Sequence, residues 1–399
     1  MHRSLLEFKM ETSTVDNNGT RRQANNGIAQ NLPPDILHDI FSMFPLELIL
    51  RCKEVCKTWY KAIKEYPSFA YLLLKRSSDH PPSYILEDIG PSTKLFFMDA
   101  ADGKAREIRL DPVEMRPRSS WNGLLLCVAP RPNLHPTMVC NPITKEQIVL
   151  PEIDVPAVPE NQVGIGFDPS INKYKVARMY PLGKNEEDKH SLCEIITLGE
   201  NSWRKMGLPF KVLPIKTGRA IFWEGALHWI CSGKEERRKI DVIKEVCILR
   251  FDISKEVFDL VPTPFSIITT TSTHLSYKFQ LLDLAGSLTL VDLQEAEKFS
   301  LCQYKRSEAG GIHQERCFSF DLKPLGKRLQ FYSLFGAVDP DKLLLKVSII
   351  EENEGVLPDK IVVYSPEKER FSYLEMRGTP KSFLPTSFRP SLVSIQATL

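Results

Sequence analysis

Asn31-Leu32-Pro33-Pro34-Asp35-Ile36-Leu37-His38-Asp39-Ile40-Phe41 opens the first stretch of the chain with helical periodicity. Pro33-Pro34 fixes the backbone ahead of a helix, and Pro34 suits the first helical position, where its missing N–H is not needed. Asp35 then lies near the positive end of the helix dipole. Ile36, Leu37, Ile40, Phe41 and Phe44 supply one apolar face, and Pro45 stops the helix. Leu46, Ile49 and Leu50 predict a short second helix. Val55, Trp59, Ala62 and Ile63 predict a third, closed by Tyr66-Pro67. Lys53, Lys57, Lys61 and Lys64 run down the opposite face of that helix and read as solvated surface. Three short helices in about 45 residues cannot bury all their apolar surface alone. Either they pack onto the rest of the chain, or they keep one face for a partner's helix.

Working outward, residues 1–30 read as a disordered tail, polar from 11 onward and dominated by Thr, Asn, Gly and Gln. The helical module spans 31–76, and Ser77-Ser78-Asp79-His80-Pro81-Pro82 opens a linker over 77–83. From 84 to 399 the pattern changes to short apolar strands separated by Asn, Asp, Pro, Ser and Gly turns. Such turns fall near residues 100, 143, 200, 253, 310 and 366, a loose period of about 50 with several strands per unit. That period predicts a β-propeller, and six blades fit. A β-sandwich pair is the structural alternative. The expected architecture is therefore α+β multidomain, a small three-helix module followed by a large all-β domain.

The 399 residues include 42% hydrophobic and 26% charged, ordinary for a globular chain. With 52 basic against 50 acidic residues, the formal charge of +2 supplies no global field for nucleic acid or anionic membrane. No apolar run approaches the roughly 20 residues of a membrane span. Nine cysteines are scattered without a C-x-x-C pair or zinc-finger spacing, and most sit in apolar runs as small hydrophobes. An odd count without a secretory signal predicts a reducing compartment, cytoplasmic or nuclear.

The opening run, with Phe44-Pro45, resembles the start of the F-box motif, and Leu50-Arg51-Cys52-Lys53-Glu54-Val55-Cys56-Lys57-Thr58-Trp59, then Ile63, Pro67 and Phe69, its continuation. The resemblance implies binding to a Skp-type adaptor that links the module to a cullin scaffold carrying the ubiquitin-charging machinery. It marks Leu32, Pro33, Ile36, Leu37, Ile40, Leu50, Val55 and Trp59 as adaptor-binding positions, some facing the adaptor and others holding the helices together, with Trp59 read as an anchor. The β region resembles the F-box-associated domain common in plants. Trp121-Asn122-Gly123-Leu124-Leu125, Asn141-Pro142-Ile143-Thr144-Lys145 and Gly164-Ile165-Gly166-Phe167-Asp168-Pro169 carry that likeness, as do Asn201-Ser202-Trp203-Arg204, Gly225-Ala226-Leu227-His228-Trp229 and Phe251-Asp252-Ile253-Ser254-Lys255-Glu256.

Signatures of catalysis are missing from the sequence. There is no G-x-x-x-x-G-K-[ST], Gly164-Ile165-Gly166 lacks a third glycine and a following helix, and no G-x-S-x-G occurs. His228 beside Trp229 reads as a hydrogen-bonded structural histidine, and Trp121, Trp203, Trp223 and Trp229 as packing between blades. Glu186-Glu187-Asp188-Lys189 and Glu235-Glu236-Arg237-Arg238-Lys239 read as exposed loop tips. The expected role is a substrate receptor of an SCF-type ubiquitin ligase for an unidentified protein target, with no cofactor or metal. An adaptor-binding scaffold or lectin-like binder outside ubiquitination is one alternative. A copper-dependent propeller enzyme resembling galactose oxidase is the other.

Overall fold

The computed structural model describes residues 32–77, 83–90, 94–99, 103–110, 115–129, 137–152, 162–182, 190–215, 219–238, 241–269, 279–295, 298–308, 311–323, 329–339, 341–351 and 355–395. The expected tail, most of the linker and the tip at Glu186–Lys189 lie outside these residues. The chain divides into two compact units, Met1–Leu72 and Leu73–Leu399.

In the first unit the helices are α1 (Pro34–Phe41), α2 (Leu46–Cys52), α3 (Lys57–Lys64) and α4 (Pro67–Ser77), the last running across the division. Pro34 occupies the first turn of α1, and Pro45 precedes α2 as its N-cap. The fourth helix is a departure from the sequence reading, which stopped at Tyr66-Pro67. Proline ends one helix and suits the first position of the next, so the same residue serves both roles. Leu37, Phe41, Ile49, Ala62, Ile63 and Phe69 are buried. His38 is buried with them: its Nε2 lies 2.7 Å from the Ala62 carbonyl, and its ring stacks on Phe69 at 4.7 Å.

The second unit is six antiparallel sheets. Blade 1 joins β1 (Ser83–Asp88), β2 (Leu95–Met98) and β3 (Ala105–Ile108) to the last strand, β26 (Phe383–Phe388). Blade 2 is β4 (Arg116–Trp121), β5 (Leu124–Val128), β6 (Thr137–Asn141) and β7 (Glu146–Val149). Blade 3 is β8 (Val163–Asp168), β9 (Lys173–Leu182), β10 (His190–Thr197) and β11 (Arg204–Met206). Blade 4 has a divided first strand, β12 (Leu213–Pro214) and β13 (Ile221–Trp223), then β14 (Ala226–Arg238), β15 (Asp241–Asp252) and β16 (Val257–Thr269). Blade 5 is β17 (Phe279–Leu284), β18 (Ser287–Glu295), β19 (Lys298–Arg306) and β20 (Ile312–Asp321). Blade 6 is β21 (Leu329–Asp339), β22 (Lys342–Glu351), the short β23 (Gly355–Val356), β24 (Lys360–Ser365) and β25 (Arg370–Leu374).

The innermost strands close a ring: β26 touches β4, β4 touches β8, β8 touches β13, β13 touches β17, β17 touches β21, and β21 returns to β26. This is a six-bladed propeller, and the sandwich alternative falls away. Closure comes from β26 pairing with β1, Ser83 opposite Phe388 and Asp88 opposite Phe383. Apolar layers fill the spaces between blades. Met179, Ile195, Leu227, Trp229 and Phe251 form one between blades 3 and 4; Ile248, Phe279, Leu290 and Tyr304 form another between blades 4 and 5. The turns expected near 143, 200, 253 and 366 all join the third and fourth strands of a blade. Asn141 and Asp252 build two of them by accepting backbone N–H bonds from Ile143 and Lys255. Asn122 and Gly123, at φ 51° and 80°, make the tight turn between β4 and β5.

Other expectations change. Glu235–Arg238 is strand rather than loop: β14 runs through it to the end of the β14–β15 hairpin, where Arg238 pairs with Asp241, and Lys239 lies outside the described residues. Cys302 and Cys317 stand opposite one another on β19 and β20 and are joined as a disulfide, whereas the other seven cysteines are free.

Candidate functional site

On α1 the apolar doublets Ile36-Leu37 and Ile40-Phe41 divide between two faces. Leu37, only 1% exposed, and Phe41 turn inward, while Ile36 stays 46% exposed and Ile40 half-buried. An apolar stripe this wide exceeds what the module's own core consumes. Pro33, one turn ahead of Ile36, is exposed, and Leu32 is half-buried. Farther on, Val55 is 57% exposed, Leu50 half-buried, and Trp59 half-buried with its ring edge-on to Phe41 at 5.0 Å.

The eight expected positions therefore separate. Pro33, Ile36 and Val55 are open, Leu32, Ile40, Leu50 and Trp59 are shared, and Leu37 is interior. Placing Leu37 among the contact residues needs correction, because a side chain packed inside the helices has no surface to offer. Sequence reading passed over Met43, 71% exposed, and Leu48, 41% exposed. Their signal was an apolar residue lying off the buried spacing of its own helix or turn. Lys57, Lys61 and Lys64 are exposed, and Lys64 sits over the Tyr60 ring at 5.6 Å.

In the propeller, the residues weighed for chemistry are built into the walls. His228 is fully buried, its Nδ1 3.4 Å from the Ile221 carbonyl; burial, with Arg250 adding to it, pushes its pKa down to about 3, so the ring is neutral. Trp203 donates to the Pro151 carbonyl at 3.0 Å and lies against Arg178, whose guanidinium is 4.1 Å from its ring. Trp223 donates to the Gly286 carbonyl at 2.8 Å, and Trp229 is fully buried. Trp121 meets Phe222 edge-on at 4.6 Å. These strands belong to blades 2 and 4, with blade 3 between them, and Gly166 on β8 makes the approach possible. A Cβ there would lie 2.5 Å from Phe222 Cε2 and 2.7 Å from Ile253 Cδ1. The G-x-G pair is thus a packing device, not a phosphate loop.

Around the axis, Glu87 on β1 holds two guanidinium groups of β4. Arg118 Nη1 donates to its Oε2 at 2.8 Å, and Arg116 Nε lies 3.3 Å from its Oε1. Glu87 and Arg118 are both buried. Among the described residues no three His, Cys, Asp or Glu side chains group to hold a metal, and no helix is long and apolar enough to cross a membrane.

Comparison with known proteins agrees with both halves. Residues 29–68 match the family described as F-box-like, and residues 99–389 match the F-box associated beta propeller domain. Among curated relatives, F-box protein At3g08750 of Arabidopsis thaliana is 24% identical over 382 residues, covering 92% of this chain and 97% of that one. F-box protein At3g07870 of the same plant is 25% identical, covering 94% of each chain, and the putative F-box protein At1g30920 is 29% identical, covering 87% and 88%. An exposed apolar helical face ahead of a closed six-bladed ring, with the propeller family matched over most of the length, places this chain among the plant-type F-box proteins with an F-box-associated β-propeller.

Proposed function

We propose that this chain is the substrate-recognition subunit of an SCF-type E3 ubiquitin ligase. The helical module binds a Skp-type adaptor, which connects to a cullin scaffold, and the propeller holds the target protein. The observation that carries this reading is the set of apolar side chains left open on the helices: Ile36, Met43, Leu48 and Val55. Exposed apolar groups at this density suit an interface rather than a solvated surface. The chain needs no catalytic residue of its own for such a role. Holding the target beside a charged ubiquitin carrier raises their effective concentration, and that alone accelerates transfer. This work belongs to the cytoplasm or nucleus.

Ile36→Asp combined with Val55→Asp in the full chain tests the assignment. Burying each aliphatic side chain contributes about 1.5–3 kcal/mol, so the pair is expected to weaken adaptor binding by more than about tenfold. Tryptophan fluorescence of the propeller stays unchanged. Adaptor co-purification at the wild-type level with this double variant would refute the proposed interface.

A further inference from the structure

Arg219 lies two residues ahead of β13, the innermost strand of blade 4. Its Nη1 donates to the Pro385 carbonyl at 3.3 Å and to Thr386 Oγ1. Both acceptors belong to β26, the innermost strand of blade 1. In a ring of six, blade 4 faces blade 1 across the axis, so these bonds cross the central channel and the guanidinium lies within it. The charges that act on it are Arg118 and Glu87, and Glu87 is already engaged by Arg118 and Arg116. Burial, then Arg118, push the Arg219 pKa down to about 10 against the opposing pull of Glu87.

Among the described residues, Arg219 bonds only to neutral oxygens, which leaves its Nε and Nη2 edge without an acceptor. A half-buried guanidinium with no carboxylate of its own, next to a second guanidinium, is an unfavourable arrangement for the protein alone. That edge has the fork geometry that takes two oxygens of a carboxylate or a phosphate.

We propose that the propeller channel at Arg219, backed by Arg118, is an oxyanion-binding site that receives an acidic or phosphorylated side chain of the target protein. The proposal rests on the reading of the propeller as the target-binding part. A protein segment is favoured over nucleic acid because the near-neutral chain lacks the basic surface that a polyanion requires. Arg219 lies at the end of the ring where the inner strands begin.

The test is calorimetric titration of the full chain with inorganic phosphate and, separately, with acetate, against chloride at matched ionic strength. Saturable binding of at least one anion is expected, with affinity reduced at least tenfold in Arg219→Gln and partly retained in Arg219→Lys. Absence of saturable binding by the wild-type chain overturns the proposal, a result that needs no variant to fold. Equal affinity in a folded Arg219→Gln overturns it too. Should Arg219→Gln lose its native tryptophan fluorescence, Arg219→Lys decides: partial retention supports the site, and unchanged affinity overturns it. Phosphatase treatment of captured target separates the two sources. Loss of capture assigns phosphate; capture that survives treatment but fails with Arg219→Gln assigns carboxylate; capture indifferent to both overturns the proposal. Adaptor co-purification by Arg219→Gln is expected at the wild-type level. If the Ile36/Val55 double variant retains adaptor while phosphate binding still depends on Arg219, the ligase assignment fails and the anion site stands.

Discussion

Replacing Lys175 by Met removes the cation that ties blade 3 to blade 4. Lys175 is buried on β9, and its three ammonium protons are all used: Asp168 Oδ2 lies at 2.8 Å, Glu256 Oε1 at 2.9 Å and the Ile253 carbonyl at 2.9 Å. Asp168 is buried as well and also accepts from Ser170 Oγ at 2.6 Å and Ser254 Oγ at 2.7 Å. Burial would raise its carboxyl, but the bonds from Lys175, Ser170 and Ser254 prevail and bring the pKa from 3.8 to about 2. At about 1.36 kcal/mol per unit, that difference contributes roughly 2 kcal/mol of stability at neutral pH. Because the folded value is the depressed one, this contribution is fully present above about pH 4 and is lost as the pH falls toward 2.

Breaking a buried pair from one side costs about 3–5 kcal/mol; the lower end is expected here, since two serines still serve Asp168. In Lys175→Met the carboxylate sits buried without its cation, so its pKa rises above the unfolded value and acid now relieves the strain. The deficit is therefore about 3 kcal/mol near pH 7, is still more than about 2 kcal/mol at pH 4, and shrinks to less than half of its neutral value only near about pH 3. Urea unfolding followed by tryptophan fluorescence reads it directly, because Trp121, Trp203, Trp223 and Trp229 lie in the propeller and only Trp59 lies in the helical unit. Urea is preferred to guanidinium, whose salt would screen the pair. A deficit that does not change between neutrality and about pH 3, or one below about 1 kcal/mol at neutrality, refutes the claim that Asp168 needs Lys175.

Two further substitutions probe the ring. Gly166→Ala drives a methyl group into Phe222 and Ile253 and should cost about 1–3 kcal/mol; Phe222→Leu on the same chain should recover part of that loss in a double-mutant cycle. Asn141→Ala strips the Ser391 and Val393 carbonyls of their donor, at 3.1 and 2.8 Å, and removes the acceptor for Ile143 N–H. The expected loss is about 2–3 kcal/mol, accompanied by faster hydrogen exchange at residues 391–395, and unchanged exchange there would refute the anchoring role.

What the sequence disclosed follows from what is local. The turns joining third and fourth strands carry Asn, Asp and Pro because each must reverse the chain within a few residues, so their spacing reveals one blade after another. The doublets Ile36-Leu37 and Ile40-Phe41 likewise show that α1 has more apolar surface than one core consumes. Which member of each doublet turns inward depends on where α3 and Phe69 lie, and no local pattern states that. Leu37 was misplaced for this reason. The fourth helix was hidden by a proline that terminates and initiates equally well.

Features closed by long-range contacts left no local trace. β26 reads as one more strand, and its partner β1 lies at the other end of the propeller sequence. Arg219 is a single arginine between two short strands, with no periodicity or motif to distinguish it. Its position in the channel exists only because six blades put blade 4 opposite blade 1. A ring of another number would point the same side chain at a different strand, with other oxygens and other charges around it. The number of blades is thus what makes Arg219 chemically distinct from the arginines packed between blades. Arg178, for example, is neutralised by Glu194 within its own sheet, whereas the guanidinium in the channel meets no carboxylate of its own among the described residues.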